Sequence, residues 1–117
     1  MFLDFTKVEK IFLVTGKTDL RKGIDGLARI IQQDYELDVY EDAIFLFYGN
    51  RCDRFKLLYW HNDGFFLRYK RIENGRLQWP RKKEEVRQLS VQQIHWLLEG
   101  LSIHQPKAIK AGTKGTF

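Results

Sequence analysis

The sequence predicts an α+β protein: a single domain in which a largely antiparallel sheet of four to five strands is packed by two to three helices. Three observations support this prediction. The length of 117 residues is usual for one domain. Short apolar runs rich in Val, Ile, Phe and Tyr are bounded by turn residues, which is typical of strands. Two other segments space their apolar residues three or four apart, which is typical of helices.

The first half of the chain predicts a strand, a helix and a second strand. Residues 10–15 form a β-rich apolar run that Gly16 closes. Thr18 or Asp19 can then cap a helix. The apolar stripe of this helix consists of Leu20, Ile24, Leu27, Ala28, Ile31 and Tyr35. After an acidic loop, residues 43–48 are apolar on both faces, which predicts a strand in the centre of the sheet.

Two further strands, residues 54–61 and 65–72, predict a β-hairpin. We expect the three intervening residues to form its loop, with Gly64 in the left-handed conformation and His61 opposite Phe65. One face of the hairpin would then be apolar, with Phe55, Leu57, Tyr59, Phe65, Leu67 and Tyr69. The other would be basic and aromatic, with Arg54, Lys56, Leu58, Trp60, Phe66, Arg68 and Lys70. A two-residue turn ending at Gly64 would shift the register by one residue and mix the two sets.

The last third of the chain predicts a short strand and a second helix. The strand covers residues 76–79, and residues 81–89 are predicted to be helical or loop-like. Ser90 and Gln93 have the spacing of a capping box. The apolar residues that follow with helical spacing are Val91, Ile94, Leu97, Leu98 and Leu101. Gly100 is expected to end this helix.

Segment composition indicates the class of protein. We expect residues 1–101 to form the domain and residues 102–117, whose only charged side chains are lysines, to form a flexible basic tail. No apolar run approaches the roughly 18 residues that cross a bilayer, and the N-terminus lacks the order of a signal peptide. Cys52 is the only cysteine, which excludes an internal disulfide framework. We therefore expect a soluble cytoplasmic protein with no membrane partner.

Basic charge is concentrated in the middle of the chain. Residues 51–83 carry ten basic side chains and three acidic ones, whereas the whole chain has a net charge of +5. This asymmetry indicates a polyanionic partner, because Lys and Arg neutralise phosphates and aromatic rings stack on bases. The candidate nucleic-acid-binding residues are Arg51, Arg54, Lys56, Trp60, Phe66, Arg68, Lys70, Arg71 and Arg76. The alternative is a solvated sheet face on which a helix covers the two aromatic residues.

Catalytic and metal-binding patterns are incomplete. Residues 16–18 imitate the end of a phosphate-binding loop, but the glycine required five positions earlier is replaced by Ile11. The three histidines, His61, His95 and His104, lack the spacing of metal ligands. A metal-dependent nuclease that uses Asp53 or Asp63 stays open as a minor alternative. We expect no enzyme activity, no catalytic residues, no metal and no cofactor.

Three longer segments resemble a known family. Residues 16–28 read GKTDLRKGIDGLA, residues 46–60 read LFYGNRCDRFKLLYW, and residues 63–80 read DGFFLRYKRIENGRLQWP. In order and spacing, across about residues 8–101, they resemble the protein of the second open reading frame of insertion-sequence-66 elements, called TnpB. It is distinct from the RNA-guided nuclease that shares this label. Such elements encode two small accessory proteins beside a separate larger transposase.

The resemblance implies a non-catalytic accessory role in DNA transposition, and it supplies no catalytic residues. Cys52 and the dipeptide at 61–62 differ from the residues we expect of the family, which argues against a family-wide catalytic role for them. We predict that the protein binds element DNA through the basic face of the hairpin. The alternative is a protein–protein adaptor that docks on the transposase or the other accessory protein, with Trp60 and Phe66 as anchors.

Overall fold

The computed structural model describes residues 4–80 and 84–106. Its strands are β1 (Lys10–Thr15), β2 (Ala43–Phe47), β3 (Arg54–His61), β4 (Gly64–Arg71) and β5 (Glu85–Leu89), and its helices are α1 (Ile24–Arg29) and α2 (Val91–Leu98). The strands form one sheet in the order β4-β3-β2-β1-β5. β1 and β2 are parallel, and the other neighbouring strands are antiparallel. The predicted α+β class with a largely antiparallel sheet is confirmed.

The central strand β2 separates two apolar cores. Its side chains alternate between the two faces of the sheet, as a strand requires. Phe45 and Phe47 pack with Leu27 and Ile31 of the α1 side. The residues Ile44 and Leu46 of β2 pack on the opposite face with Ile94 and Leu97 of α2. β2 is therefore buried on both faces, which confirms the prediction of a central strand from its unbroken apolar run.

Helix α1 begins later than predicted. Its N-cap is Gly23, which supplies no side-chain hydrogen bond, and the helix continues into a π-helical segment over Ile30–Asp34. Asp19 does not cap it. Its carboxylate instead accepts hydrogen bonds from the backbone N–H and the guanidinium of Arg21. The predicted apolar stripe nevertheless faces the core, because its spacing is helical.

The fifth strand lies in a segment predicted to be helical or a loop. Residues 76–79 are not a strand, although Leu77 is buried in the α2-side core. The strand that completes the sheet is β5, which pairs with β1. Its Val86 packs on the α1 side, and its Leu89 lies in the α2-side core. Its Glu, Arg and Gln residues are poor strand formers, so the pairing with β1 decides its conformation. Residues 81–83 lie outside the described part of the chain.

Helix α2 starts at the predicted capping box and ends before Gly100, as predicted, but Leu101 of the predicted apolar stripe lies beyond the helix and is 41% exposed. Ser90 accepts from the backbone N–H of Gln93, and the Gln93 side chain accepts from the Ser90 N–H, which completes the capping box. Gly100 follows the helix with a φ of 84°. Packing extends past the predicted boundary after residue 101, since Ile103 is 4% exposed in the α2-side core. The tail lysines Lys107, Lys110 and Lys114 lie outside the described residues. Within those residues, no helix has the length and apolar content that spanning a membrane requires.

The register of the hairpin differs from both sequence-based alternatives. His61 pairs with Gly64, so the loop has two residues, Asn62 and Asp63. The left-handed residue is Asn62, with a φ of 55°, and not Gly64. Asn tolerates this conformation better than most residues with a side chain, because its short polar side chain bonds locally.

The prediction that the basic residues of the hairpin share one face is therefore wrong. Residues directly opposite one another in an antiparallel pair project from the same face. Arg54 pairs with Arg71, and Lys56 pairs with Tyr69, on the α1 side of the sheet. Two other cations of β4, Arg68 and Lys70, point the other way, because their partners are Leu57 and Phe55, which belong to the α2-side core.

Substitutions in the hairpin loop test this register. We expect Gly64→Ala to change the free energy of unfolding by less than about 0.5 kcal/mol. The φ of Gly64 is not positive, and no atom lies within 4 Å of the added Cβ position. Asn62→Ala should lower the free energy of unfolding by about 1 kcal/mol, because alanine is strained in the left-handed conformation, and Asn62→Gly should not lower it. Urea denaturation of the wild type and the three variants measures these changes in the free energy of unfolding. A three-residue loop with left-handed Gly64 would reverse the order, making Gly64→Ala the costly change.

Candidate functional site

A basic cleft of about 1000 Å³ opens beside the carboxyl ends of the parallel strands β1 and β2. The loop after β1, the loop after β2, the start of β3 and the end of β4 line it. The lining residues are Lys17, Thr18, Asp19, Leu20, Arg21, Gly49, Asn50, Arg51, Arg54, Lys56 and Tyr69. The carboxyl ends of parallel strands lie at one edge of a sheet, and ligands commonly bind among the loops that follow them.

Tyr48, directly after β2, holds the two loops together. The backbone N–H of Thr18 donates to the Tyr48 carbonyl at 2.7 Å, and that of Gly16 donates to the Tyr48 hydroxyl at 2.9 Å. Gly16 has a φ of 86°, which favours glycine. The Tyr48 hydroxyl in turn donates to the Pro80 carbonyl at 2.9 Å. Burial raises the pKa of this hydroxyl, so it stays protonated and keeps that bond.

The same bonds explain why the glycine-lysine-threonine sequence is not a phosphate-binding loop. Such a loop presents several backbone N–H groups to one polyphosphate. Here the N–H groups of Gly16 and Thr18 already donate to Tyr48. Any anion at this site would therefore bind mainly to side chains.

The described residues that line the cleft include five basic side chains and one acidic side chain. Asp19 pairs with Arg21, and the hydrogen bonds from Arg21 lower the pKa of the Asp19 carboxyl from 3.8 to about 2. The Arg21 side chain is 92% exposed in this pair, so the pair is weak and the guanidinium stays accessible. Arg54 pairs with Asp53 at 2.9 Å, and this contact lowers the pKa of the Asp53 carboxyl.

The remaining cations of the cleft have no acidic partner among the described residues. They are Lys17, Arg51 and Lys56. Lys56 is positioned by a hydrogen bond from its ammonium group to the backbone carbonyl of Lys22, at 2.9 Å. Because a carbonyl carries no formal charge, this bond fixes the ammonium without neutralising it. The cleft is thus positively charged overall and suited to anions.

Three of the predicted nucleic-acid-binding residues meet in the cleft: Arg51, Arg54 and Lys56. Arg71 lies opposite Arg54 on the same face of the hairpin but pairs with Glu73 at 2.8 Å. The remaining predicted residue after β4, Arg76, lines a second cavity.

The other predicted residues lie elsewhere. Trp60 is at the far end of β3, where its ring packs against Tyr40 and Phe65 with centroid distances of 5.0 Å to each. Phe66 is on the opposite face, near His61. The remaining two, Arg68 and Lys70, share that opposite face, as the hairpin register requires.

Among the lining residues that sequence reasoning missed are two cations of the cleft, Lys17 and Arg21, and its aromatic side chain, Tyr69. The signal was present as a cluster of three basic residues (17, 21 and 22) in the loop after the first strand. This basic cluster indicates a shared binding site only when β1 is known to pair in parallel with β2, because that pairing brings the loops after the two strands together.

Clustered metal ligands are absent from the described part of the chain. Within residues 4–80 and 84–106, no three His, Cys, Asp or Glu side chains come close enough to hold one ion. Asp53, which the sequence offered as a nuclease ligand, is paired with Arg54.

Comparisons with known proteins identify the family. The model of the family described as IS66 Orf2 like protein matches residues 9–108. The uncharacterized protein y4jC of Sinorhizobium fredii (strain NBRC 101917 / NGR234) is 32% identical over 92 residues, 79% of each chain. The uncharacterized protein y4hO of the same strain is 29% identical over 105 residues, which cover 90% of this chain and 91% of that protein. No solved structure matches. The chain therefore belongs to the IS66 Orf2-like family, and this membership implies an accessory role in transposition.

Proposed function

We propose that this accessory protein binds DNA of its element through the basic cleft and performs no catalytic step itself. One observation carries the proposal: five basic side chains from two separate segments, residues 17–21 and 51–56, converge on one cleft, and three of them have no acidic partner in the described residues. Lys and Arg side chains that contact phosphates release condensed counterions, which favours binding.

The residues of the cleft suit a DNA backbone. Arg51 and Arg54 offer planar guanidinium groups that can bind phosphate oxygens in a bidentate manner. Tyr69, at the rim of the cleft, is 52% exposed and offers an aromatic surface to a sugar or base. Phe66, Arg68 and Lys70 lie on the other face of the sheet and are not part of the proposed DNA-binding surface.

Removing the unpaired cations should weaken DNA binding. We expect the triple variant Lys17→Ala, Arg51→Ala, Lys56→Ala to lower affinity and to reduce the slope of log K against log salt by about 2 to 3, because each missing cation leaves one phosphate without its partner. Fluorescence anisotropy with labelled element-end DNA across a salt titration measures both quantities. None of the three substitutions leaves an acidic side chain unpaired, so we expect the fold to persist.

The matched control removes the same charge outside the cleft. The variant Lys7→Ala, Arg68→Ala, Lys70→Ala should keep most of the affinity and the original salt slope. An equal loss in both triple variants would mean that net charge, and not the cleft, governs binding. Unchanged affinity in the cleft variant would contradict the proposal directly.

Removing the acidic residue of the cleft should strengthen DNA binding. Asp19→Asn deletes the one acidic side chain among the described lining residues and frees Arg21, so we expect affinity to rise about two- to fivefold at low salt. Because the pKa of Asp19 is about 2, its carboxylate stays ionised between about pH 5 and pH 8, and the ratio of the two affinities should be constant over that range.

Asp38→Asn is the matched control, because Asp38 accepts from the Tyr40 backbone N–H much as Asp19 accepts from that of Arg21. It should leave DNA affinity unchanged. A wild-type affinity that rises to the level of Asp19→Asn at about pH 5 would show that this carboxyl titrates there, against the expectation.

A second candidate function is a protein–protein adaptor that docks on the transposase or the other accessory protein. An aromatic cluster at the far end of the hairpin favours it. Tyr40 is 53% exposed and lies 5.0 Å from Trp60 and 5.7 Å from Phe65, by ring centroids. Aromatic side chains of this kind are frequent anchors of protein interfaces.

Pull-down with each purified partner after nuclease treatment tests the adaptor function. If the cluster is the interface, the variant Tyr40→Ala, Trp60→Ala should lower capture about tenfold or more, and His61→Ala, Phe66→Ala on the opposite face should not. Capture that disappears when DNA is removed would reject the adaptor and favour the cleft.

A further inference from the structure

A second cavity of about 670 Å³ adjoins the basic cleft. The two share Lys17, Gly49 and Asn50 in their linings, so they lie side by side. The remaining lining of this second cavity, the aromatic cavity, consists of Gly16, Tyr48, Cys52, Arg76, Leu77, Gln78, Trp79 and Pro80. Its volume is within the usual range for small-ligand sites, about 300–1000 Å³.

We propose that the aromatic cavity accepts an unpaired base, so that the preferred ligand of the cleft is single-stranded DNA. This inference rests on the proposed function and specifies its substrate class. The backbone would follow the cations of the cleft, and a base next to it would turn past Asn50 and stack against Trp79. Cationic tracks beside aromatic surfaces are the usual arrangement in proteins that bind single strands.

The indole ring of Trp79 is held in place before any ligand binds. One side of it stacks on Tyr48, with the ring centroids 4.6 Å apart and the planes within 4° of parallel. Its N–H donates to the backbone carbonyl of Arg51 at 3.3 Å. The preceding segment is tied to the same loop, because the N–H of Leu77 donates to the Cys52 carbonyl at 2.7 Å. A ring fixed in this way loses little conformational entropy when a base stacks on it.

Polar groups of the cavity can contact the edge of a base. Asn50 offers an amide, which can both donate and accept, and makes no hydrogen bond among the described residues. Arg76 offers a guanidinium and forms no ion pair there. Gln78 is already engaged, since its side-chain N–H donates to the carbonyl of Gly100 at 2.9 Å. The cavity therefore combines a stacking surface with a few polar groups, as base-binding sites do.

A base inside a duplex cannot reach this cavity. It is stacked between its neighbours and paired with the other strand, and extruding it costs a few kcal/mol. An unpaired strand has no pairing to break. Stacking in the cavity should therefore favour single strands over duplex, whereas the cations of the cleft act on either.

Binding of three matched oligonucleotides to the full chain tests the inference. The probes are oligodeoxythymidylate of about 15 nucleotides, its duplex with oligodeoxyadenylate, and a strand of equal length and charge in which abasic residues replace the thymidines. We expect the single strand to bind more tightly than the duplex. The abasic strand should bind about five- to a hundredfold more weakly than the intact strand, the loss that base–aromatic stacking predicts.

Tryptophan fluorescence locates the base in the complex. The single strand should quench wild-type emission, Trp79→Phe should lose most of that quenching while keeping a ring on Tyr48, and Trp60→Phe is the matched control that should retain it. Circular dichroism of Trp79→Phe verifies the fold, and the abasic comparison needs no variant.

The outcomes separate the two proposals. If the abasic strand binds as well as the intact one, or the duplex binds at least as tightly as the single strand, the base-binding inference is wrong and DNA binding by the cleft stands. If Trp60→Phe and not Trp79→Phe loses the quenching, the base lies elsewhere and the inference is also wrong. If neither DNA form binds in a salt-dependent manner, the proposed function itself is wrong.

Discussion

The parallel pairing of β1 with β2 is the constraint on which the rest of this structure depends. Parallel neighbours cannot be joined by a tight turn, so the chain must cross over between them, and the segment that contains α1 makes this crossover. Both strands then end at the same edge of the sheet. The loops that follow Thr15 and Phe47 consequently lie side by side, although more than thirty positions separate them in the chain. The cleft exists because of this adjacency.

Tyr48 converts the adjacency into a fixed geometry. Its carbonyl and hydroxyl accept from the loop after β1, its hydroxyl donates to Pro80, and its ring stacks on Trp79. Tyr48 thereby connects the loop after β1, which lines the basic cleft, with Trp79 of the aromatic cavity. Since a buried hydroxyl without partners would be costly, the two bonds of the hydroxyl also explain how this polar group is accommodated in a residue that is 4% exposed.

Neutral hydrogen-bonding groups, more than acidic side chains, position the cations of the cleft. Backbone hydrogen bonds, with the carbonyl that accepts from Lys56, fix the geometry of the cleft. Among the described residues, acidic partners offset the charge of Arg21 and Arg54 alone. Mutual repulsion among the remaining cations opposes folding, and an anionic ligand would relieve it. Such uncompensated charge is a common cost of binding sites, and the large two-sided core of the sheet offsets it here.

Local patterns in the sequence were sufficient for the class of the protein, the central strand β2, the capping box at Ser90 and the existence of the hairpin, because each depends on neighbouring residues alone. They were insufficient for β5, whose polar residues become a strand only by pairing with β1, and for the register, which the left-handed Asn62 sets. The cleft was the hardest to predict. Its cations come from distant segments, one of which, residues 1–50, is acidic on balance. The spacing of apolar residues indicates which face of a single helix or strand is buried. Only the order and direction of the strands in the sheet decide which distant loops lie together.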